Sequence, residues 1–317
     1  MTSVGPRDLV LAVDVGGTTI KAEITDAADN VVCSGTVPTP QGEAAFEAMG
    51  ELGDRLLAES AASSMAQRTS LGQGRRVARA AVVLPGIVDP VRSLAVFSSN
   101  IGWRDVKVGT RFADRWRMPV LIEHDVAVAG WAEWRYGAGR GYDDVCVLIL
   151  GTGISGTLSI GGRLVRGAAG QAGEYGHIPV RHRDGLRCPC GNIGCVETVA
   201  SGASIARAYA ERTGREISGA EAVFAVLDSD PDARAVVDDA VDALAEGLFG
   251  VIHATCPELV VLGGGLARAG AALTGALQDR LAELLCVAPV PRVVLGEFGA
   301  RAGLVGAARY ARAGALE

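Results

Sequence analysis

Apolar and polar positions follow two periods along this chain, and the changes of period mark its elements. Leu9-Val-Leu-Ala-Val is an unbroken apolar run rich in strand formers, closed by Asp14. Gly16-Gly17-Thr18-Thr19 follows as a turn, and residues 20–25 alternate with the period of two that a half-buried strand shows. This predicts a hairpin with glycine where the backbone bends sharply. Over residues 44–62 the period lengthens: Phe46, Met49, Leu52 and Leu56 fall on one helical face. Residues 63–76 are rich in Ser, Gln, Gly and Arg and read as an exposed loop. Val77–Leu84 reads as a buried strand stopped by Pro85-Gly86. Residues 120–123 form another short strand, ending at His124-Asp125, and 126–136 look helical.

The opening pattern then recurs. Val145–Leu150 is an apolar strand, Gly151-Thr152-Gly153 a turn, and 157–160 a strand that turns through Gly161-Gly162 into Arg163–Val165. The recurrence predicts a duplicated α/β unit, with each copy presenting a glycine-threonine turn. Residues 204–211, 219–227 and 233–254 are helical in pattern. Residues 258–262 then form a strand, with Gly263-Gly264-Gly265 and a helix behind it. A last strand at 291–295 precedes a last helix at 302–311. The expected division is residues 1–125, completed by the C-terminal helix 302–317, and residues 126–301.

With 317 residues the chain is long enough for two ordinary domains. Aromatic residues make up only 5%, so alanine, valine and leucine must fill most of the core. The net charge of −6, with both signs interspersed, argues against nucleic acid or an anionic membrane as the main partner. It leaves room for ATP, which needs only a few local donors. Residues 1–8 do not read as a signal peptide, and no apolar stretch approaches the length of a membrane span. The cysteine count of seven is odd and three of them are clustered, which suits a metal rather than a disulfide frame and fits a reducing cytoplasm.

Three of those cysteines lie in Cys188-Pro-Cys190-Gly-Asn-Ile-Gly-Cys195, with His177 upstream. Three thiolates and one imidazole make a closed tetrahedral zinc set, so the metal would be structural. The alternative is three buried or disulfide-bonded cysteines beside a surface histidine. Cys-x-Cys is a poor disulfide pair, and Gly191 and Gly194 suit a loop turning tightly around an ion. Such a loop would carry Glu174 and Glu197 at its two ends, holding both carboxylates toward a polar ligand.

Three glycine turns each follow a strand: 16–17, 151–153 and 263–265. Successive backbone N–H groups at such turns form concave anion nests, and Thr18, Thr19 and Thr152 add hydroxyl donors. Together, with Asp14 beside the first, they point to a nucleotide. Gly151-Thr-Gly153-Ile-Ser-Gly156 also matches the dinucleotide fingerprint G-x-G-x-x-G, but that fingerprint needs a helix to open on the glycines. Here the following residues read as strand and turn. The Walker motif is absent.

Taken together, these segments resemble the ROK family of sugar kinases and repressors. The matching stretches are Asp14-Val-Gly-Gly-Thr-Thr-Ile-Lys21, Pro85-Gly86-Ile-Val-Asp89, Ser99-Asn100-Ile-Gly-Trp103 and Glu123-His-Asp125. They continue with Gly151-Thr-Gly153, Gly173-Glu-Tyr-Gly-His177, the cysteine cluster through Glu197, and Val261-Leu-Gly-Gly-Gly265. The resemblance implies an actin-like, hexokinase-like (ribonuclease H-like) ATPase fold with two α/β domains flanking a cleft. It implies an ATP-dependent kinase acting on the 6-hydroxyl of glucose or N-acetylglucosamine, with Asp125 as general base. Gly86, Asn100, His124, Asp125, Glu174, His177 and Glu197 would hold the sugar. His177 would use one ring nitrogen for zinc, with Cys188, Cys190 and Cys195, and the other for the sugar. Asp14 would orient Mg²⁺ through water. Gly16, Gly17, Thr18, Thr19 and Lys21, with Gly151, Thr152 and Gly153, would hold phosphates, and Gly264 and Gly265 would line the adenosine.

His124 stands where the family usually carries Asn, so it either touches a sugar hydroxyl or packs on a neighbour. Asp125 can also serve as the N-cap of the helix behind it. The family's repressors carry a helix-turn-helix domain before the first hairpin, and thirteen residues precede Asp14 here. The expected partners are therefore sugar and ATP, with polyphosphate as an alternative donor. Family members are usually homodimers or homotetramers.

Overall fold

The computed structural model describes residues 4–71, 75–98 and 100–316. The chain opens with β1 (Leu9–Val15), β2 (Thr19–Thr25) and β3 (Val31–Pro38), then α1 (Glu43–Leu71) and β4 (Val77–Leu84). Three short strands follow, β5 (Ile87–Asp89), β6 (Leu94–Ser98) and β7 (Trp103–Val106), then α2 (Val108–Trp116), β8 (Val120–His124) and α3 (Asp125–Arg135). Next come β9 (Val145–Leu150), β10 (Ile154–Ile160), β11 (Arg163–Val165), α4 (Glu197–Ala200), α5 (Gly202–Thr213), α6 (Ala220–Phe224) and α7 (Pro231–Thr255). The chain closes with β12 (Leu259–Gly263), α8 (Ala271–Leu284), β13 (Arg292–Leu295) and α9 (Ala302–Ala313).

These elements form two compact units, residues 1–132 with 301–317, and residues 133–300. The first unit's main sheet runs β3-β2-β1-β4-β8 and the second's β11-β10-β9-β12-β13. In both, the first three strands are an antiparallel meander and the rest are parallel to the central one. The duplication expected from the repeated hairpin is therefore present strand for strand. The central strands β1 and β9 are buried along nearly their whole length, as parallel strands covered on both faces must be.

Phe46, Met49, Leu52 and Leu56 of α1 are all buried in the first core, as their spacing predicts. Gly53 lets this helix approach α2, since a Cβ there would meet the Trp116 ring at 2.4 Å. α7 begins at an Asp230 N-cap whose carboxylate accepts the Asp232 and Ala233 N–H groups, with Pro231 behind it. Among the described residues no helix is long and apolar enough to cross a membrane.

One expectation fails. Residues 63–71 are not loop: α1 continues through Leu71. The stretch holds Ala, Met, Gln and Arg, all good helix formers, and the first glycine comes only at 72. Positions 72–74 lie outside the described residues.

Candidate active site

In the first unit the β1–β2 turn is closed by the Gly16 N–H donating to the Thr19 carbonyl at 2.9 Å. β3's end ties it down, because Thr39 donates through Oγ1 to the Gly16 carbonyl at 2.8 Å. Nothing lies within 4 Å of where a Gly17 Cβ would stand, so the turn's backbone is open to an approaching anion. Thr18 is exposed beside it, and Lys21 pairs across the hairpin with Asp14.

Asp14 is the polar interruption at the end of β1. Burial, and then the Asp125 carboxylate, push its carboxyl up to about 7, with Lys21 pulling in the other direction. The first turn of α9 packs on it: a Cβ at Gly303 would fall 2.6 Å from Asp14 Oδ2. Sequence reasoning missed Gly303, because its requirement comes from a strand almost the whole chain away.

β8 ends at His124 and α3 starts at Asp125. Asp125 Oδ1 accepts the Val126 N–H at 2.8 Å, and His124 Nε2 lies 3.2 Å from the same oxygen. Asp125 thus supports the start of the helix, and His124 pairs with the carboxylate. The preceding Glu123 is buried, and its Oε1 accepts the His124 N–H at 3.0 Å. Gly86 adopts a φ of +97°, and a Cβ would meet the Phe97 carbonyl at 2.2 Å, so only glycine fits where β4 turns into β5. Asn100 is exposed after β6, its carbonyl accepting from Gln41 at 3.3 Å. Ser99, part of the same motif, lies outside the described residues.

In the second unit the 151–153 turn leads straight into β10, and Gly156 lies inside that strand. A strand in place of a helix removes the dinucleotide reading. Glu197, the first residue of α4, sends Oε2 to the Ile154 N–H at 2.8 Å. Gly264 has a φ of +83°, and a Cβ there would meet the Leu150 carbonyl at 2.4 Å, while Gly265 faces open space.

His177, Cys188, Cys190 and Cys195 bring their ligand atoms within 4.8 Å of one another. Cys190 Sγ and Cys195 Sγ are 3.8 Å apart, and His177 Nδ1 lies 3.6 Å from Cys188 Sγ. Zinc bond lengths give tetrahedral S–S and S–N edges of about 3.8 and about 3.6 Å, so the cluster has the dimensions of a tetrahedral metal site. Burial leads the causes that push the Cys195 thiol up to about 12 without metal. The other face of His177 looks at Glu174, with Nε2 3.8 Å from Oε2. No disulfide occurs among the described residues.

Glu133, also missed from the sequence, is fully buried. Its two carboxylate oxygens accept the Glu297 and Phe298 N–H groups, each at 2.8 Å.

The ROK family model matches residues 10–313. A glucokinase of Streptomyces coelicolor is 32% identical, covering 96% of this chain and 98% of its own length. An N-acetyl-D-glucosamine kinase of Shigella boydii is 30% identical over 93% of this chain and 96% of its own. Among solved structures, a ROK family glucokinase from Streptomyces griseus in complex with glucose and AMPPNP superposes with a TM-score of 0.79. It is 30% identical and covers 96% of this chain and 99% of that one.

Proposed function

Because the chain belongs to the ROK family, we propose that it is an ATP-dependent sugar kinase. It transfers the γ-phosphate to the 6-hydroxyl of a hexose or N-acetylhexosamine, glucose or N-acetylglucosamine first among them. The observation that carries this reading is the end-to-end similarity to glucokinases, to which Asp125 adds a carboxylate at a strand end beside Asp14.

Asp125 takes the proton of the 6-hydroxyl as that oxygen attacks the γ-phosphorus and the bond to ADP breaks. Phosphoryl transfer asks a protein mainly for positioning and charge stabilisation. His124 and the Val126 N–H hold Asp125 in one orientation. Gly86, Asn100 and His124 of the first unit, and Glu174, His177 and Glu197 of the second, bind the sugar. Carboxylates suit this task because a charged acceptor makes the stronger hydrogen bond to a hydroxyl. Gly16, Gly17, Thr18, Thr19 and Lys21 bind phosphates, as do Gly151, Thr152 and Gly153, while Gly264 and Gly265 lie against adenosine.

Asp14 would orient Mg²⁺ through water, and that ion, bound with ATP, supplies neutralising charge on the phosphates. The donor set fits it: two nearby carboxylates, Asp14 and Asp125, with burial and then the Asp125 charge pushing the Asp14 carboxyl up. His177, Cys188, Cys190 and Cys195 would hold a structural zinc, whose closed ligand set leaves no position for chemistry. Free cysteines fit a cytoplasmic enzyme.

A coupled ADP-release screen of glucose, N-acetylglucosamine, N-acetylmannosamine, mannose and fructose tests the reading. ADP release with one or more of these sugars is expected. Release with none, at saturating Mg²⁺ and ATP, refutes it.

A further inference from the structure

Glu197 joins two features of the second unit that the sequence presents as separate motifs. Two residues before it is Cys195, the last of the clustered ligands. Its Oε2 accepts the Ile154 N–H at 2.8 Å, immediately after the 151–153 turn. A Cβ on Gly153 would stand 2.5 Å from that same oxygen, so the turn must end in glycine for the carboxylate to lie against it. The other end of the turn is held from the same piece of chain. The Gly202 N–H donates to the Gly151 carbonyl at 2.9 Å.

The segment between these two holds is stiff. The Ser204 hydroxyl donates to the Glu197 carbonyl at 2.7 Å, and the Ser201 side chain caps α5 by accepting the Ser204 N–H. On the cysteine side, Thr198 Oγ1 donates to the Cys195 carbonyl at 2.7 Å. Residues 195–202 therefore form a brace with one foot in the ligand cluster and two hydrogen bonds on the glycine turn.

We propose that Glu197 is a positioning residue that couples metal binding to phosphate binding. Metal in the Cys/His cluster fixes the brace, and the brace fixes the turn in its phosphate-holding shape. This rests on the assignment of the 151–153 turn to the nucleotide. The carboxylate–amide hydrogen bond is charge-assisted, which suits it to hold a turn that contains two glycines. Coupling is reciprocal, so nucleotide would also tighten metal.

The test titrates Mg²⁺–AMP-PNP by calorimetry into zinc-loaded and zinc-stripped protein, as wild type, Glu197→Ala and Glu197→Gln. Exchange of the Ile154 amide is followed by NMR in wild type with and without zinc. Stripping is expected to weaken wild-type nucleotide binding about tenfold, within the usual range of coupling between sites, and to expose the Ile154 amide. Glu197→Ala should bind weakly in both states while retaining its zinc. Glu197→Gln keeps an acceptor oxygen for Ile154 and should preserve the zinc dependence. No loss on stripping wild type, or an equal loss in wild type and Glu197→Ala, overturns the proposal. If Glu197→Ala does not fold, Glu197→Gln and the wild-type exchange decide. If zinc-loaded wild type binds no AMP-PNP, the nucleotide assignment fails by itself. Exchange then judges the brace: an unchanged Ile154 rate on stripping overturns it, and a faster one supports it.

Discussion

The two main sheets share a strand order, yet their glycine turns are held by different means. The 16–18 turn is tied by Thr39 from the neighbouring strand of its own meander. The 151–153 turn is gripped at both ends by residues 197–202, which arrive through a cysteine-histidine loop with no counterpart among the described residues of the first unit. In exchange, the first unit carries the β5–β7 sheet and the His124–Asp125 pair. The doubled framework thus fixes where each turn emerges, and the inserted segments decide how it is held and what stands beside it.

Four experiments break or sharpen this contrast. The largest effect belongs to the first unit: Asp125→Asn should cut kcat by about 10²–10⁴-fold, the usual worth of a general base, while sugar affinity by calorimetry survives. Unchanged turnover would refute the base assignment. Next, stripping the metal or making Cys190→Ser should destabilise the second unit and raise sugar KM about tenfold or more. Protein with reduced thiols that holds no zinc by elemental assay would end the metal reading.

A smaller effect separates two glycines of the first unit. Gly303→Ala drives a methyl against Asp14 and should cost about 1–3 kcal/mol of stability, with kcat falling more than sugar KM rises. Gly17→Ala enters open space, so its melting temperature should hold while ATP affinity drops. Equal melting losses in both would contradict the packing described for α9.

The fourth is a pH effect. Asp14 keeps its proton to about pH 7 in the fold, against 3.8 as its ordinary value. The native state then binds the extra proton between those limits, so apo-protein stability falls as pH rises through that window. Asp14→Asn should flatten that slope in urea unfolding measured from pH 4 to 7. A slope unaltered by the substitution would mean that Asp14 is not its source.

Much of this was legible because strong local patterns matched tertiary demands. Val77–Leu84, Val145–Leu150 and Arg163–Val165 are strands with the limits their apolar runs suggested. The Cys/His set announced itself by spacing. β3 escaped notice because it is an edge strand exposing Val31 and Val32 and burying chiefly Cys33, which leaves little periodic signal. β5, β6 and β7 are three to five residues each, too short for a pattern. α2 was readable from Val108, Phe112 and Trp116 at four-residue spacing and was overlooked. Gly303 and Glu133 were beyond reach, since each is defined by a partner distant along the chain. Glu197 looked like a sugar ligand alone. Its bond to Ile154 becomes visible only when α4 is placed against β10.

α9 packs on β1 and β4, at the heart of the first sheet, although the whole second unit separates it from them along the chain. During synthesis the second unit, which is one continuous stretch, is complete before the ribosome reaches residue 301. Units of this kind fold as they emerge, so the first sheet must wait, half covered, until α9 has been made. Asp14 receives the backbone that packs against it only after the whole second unit has been made.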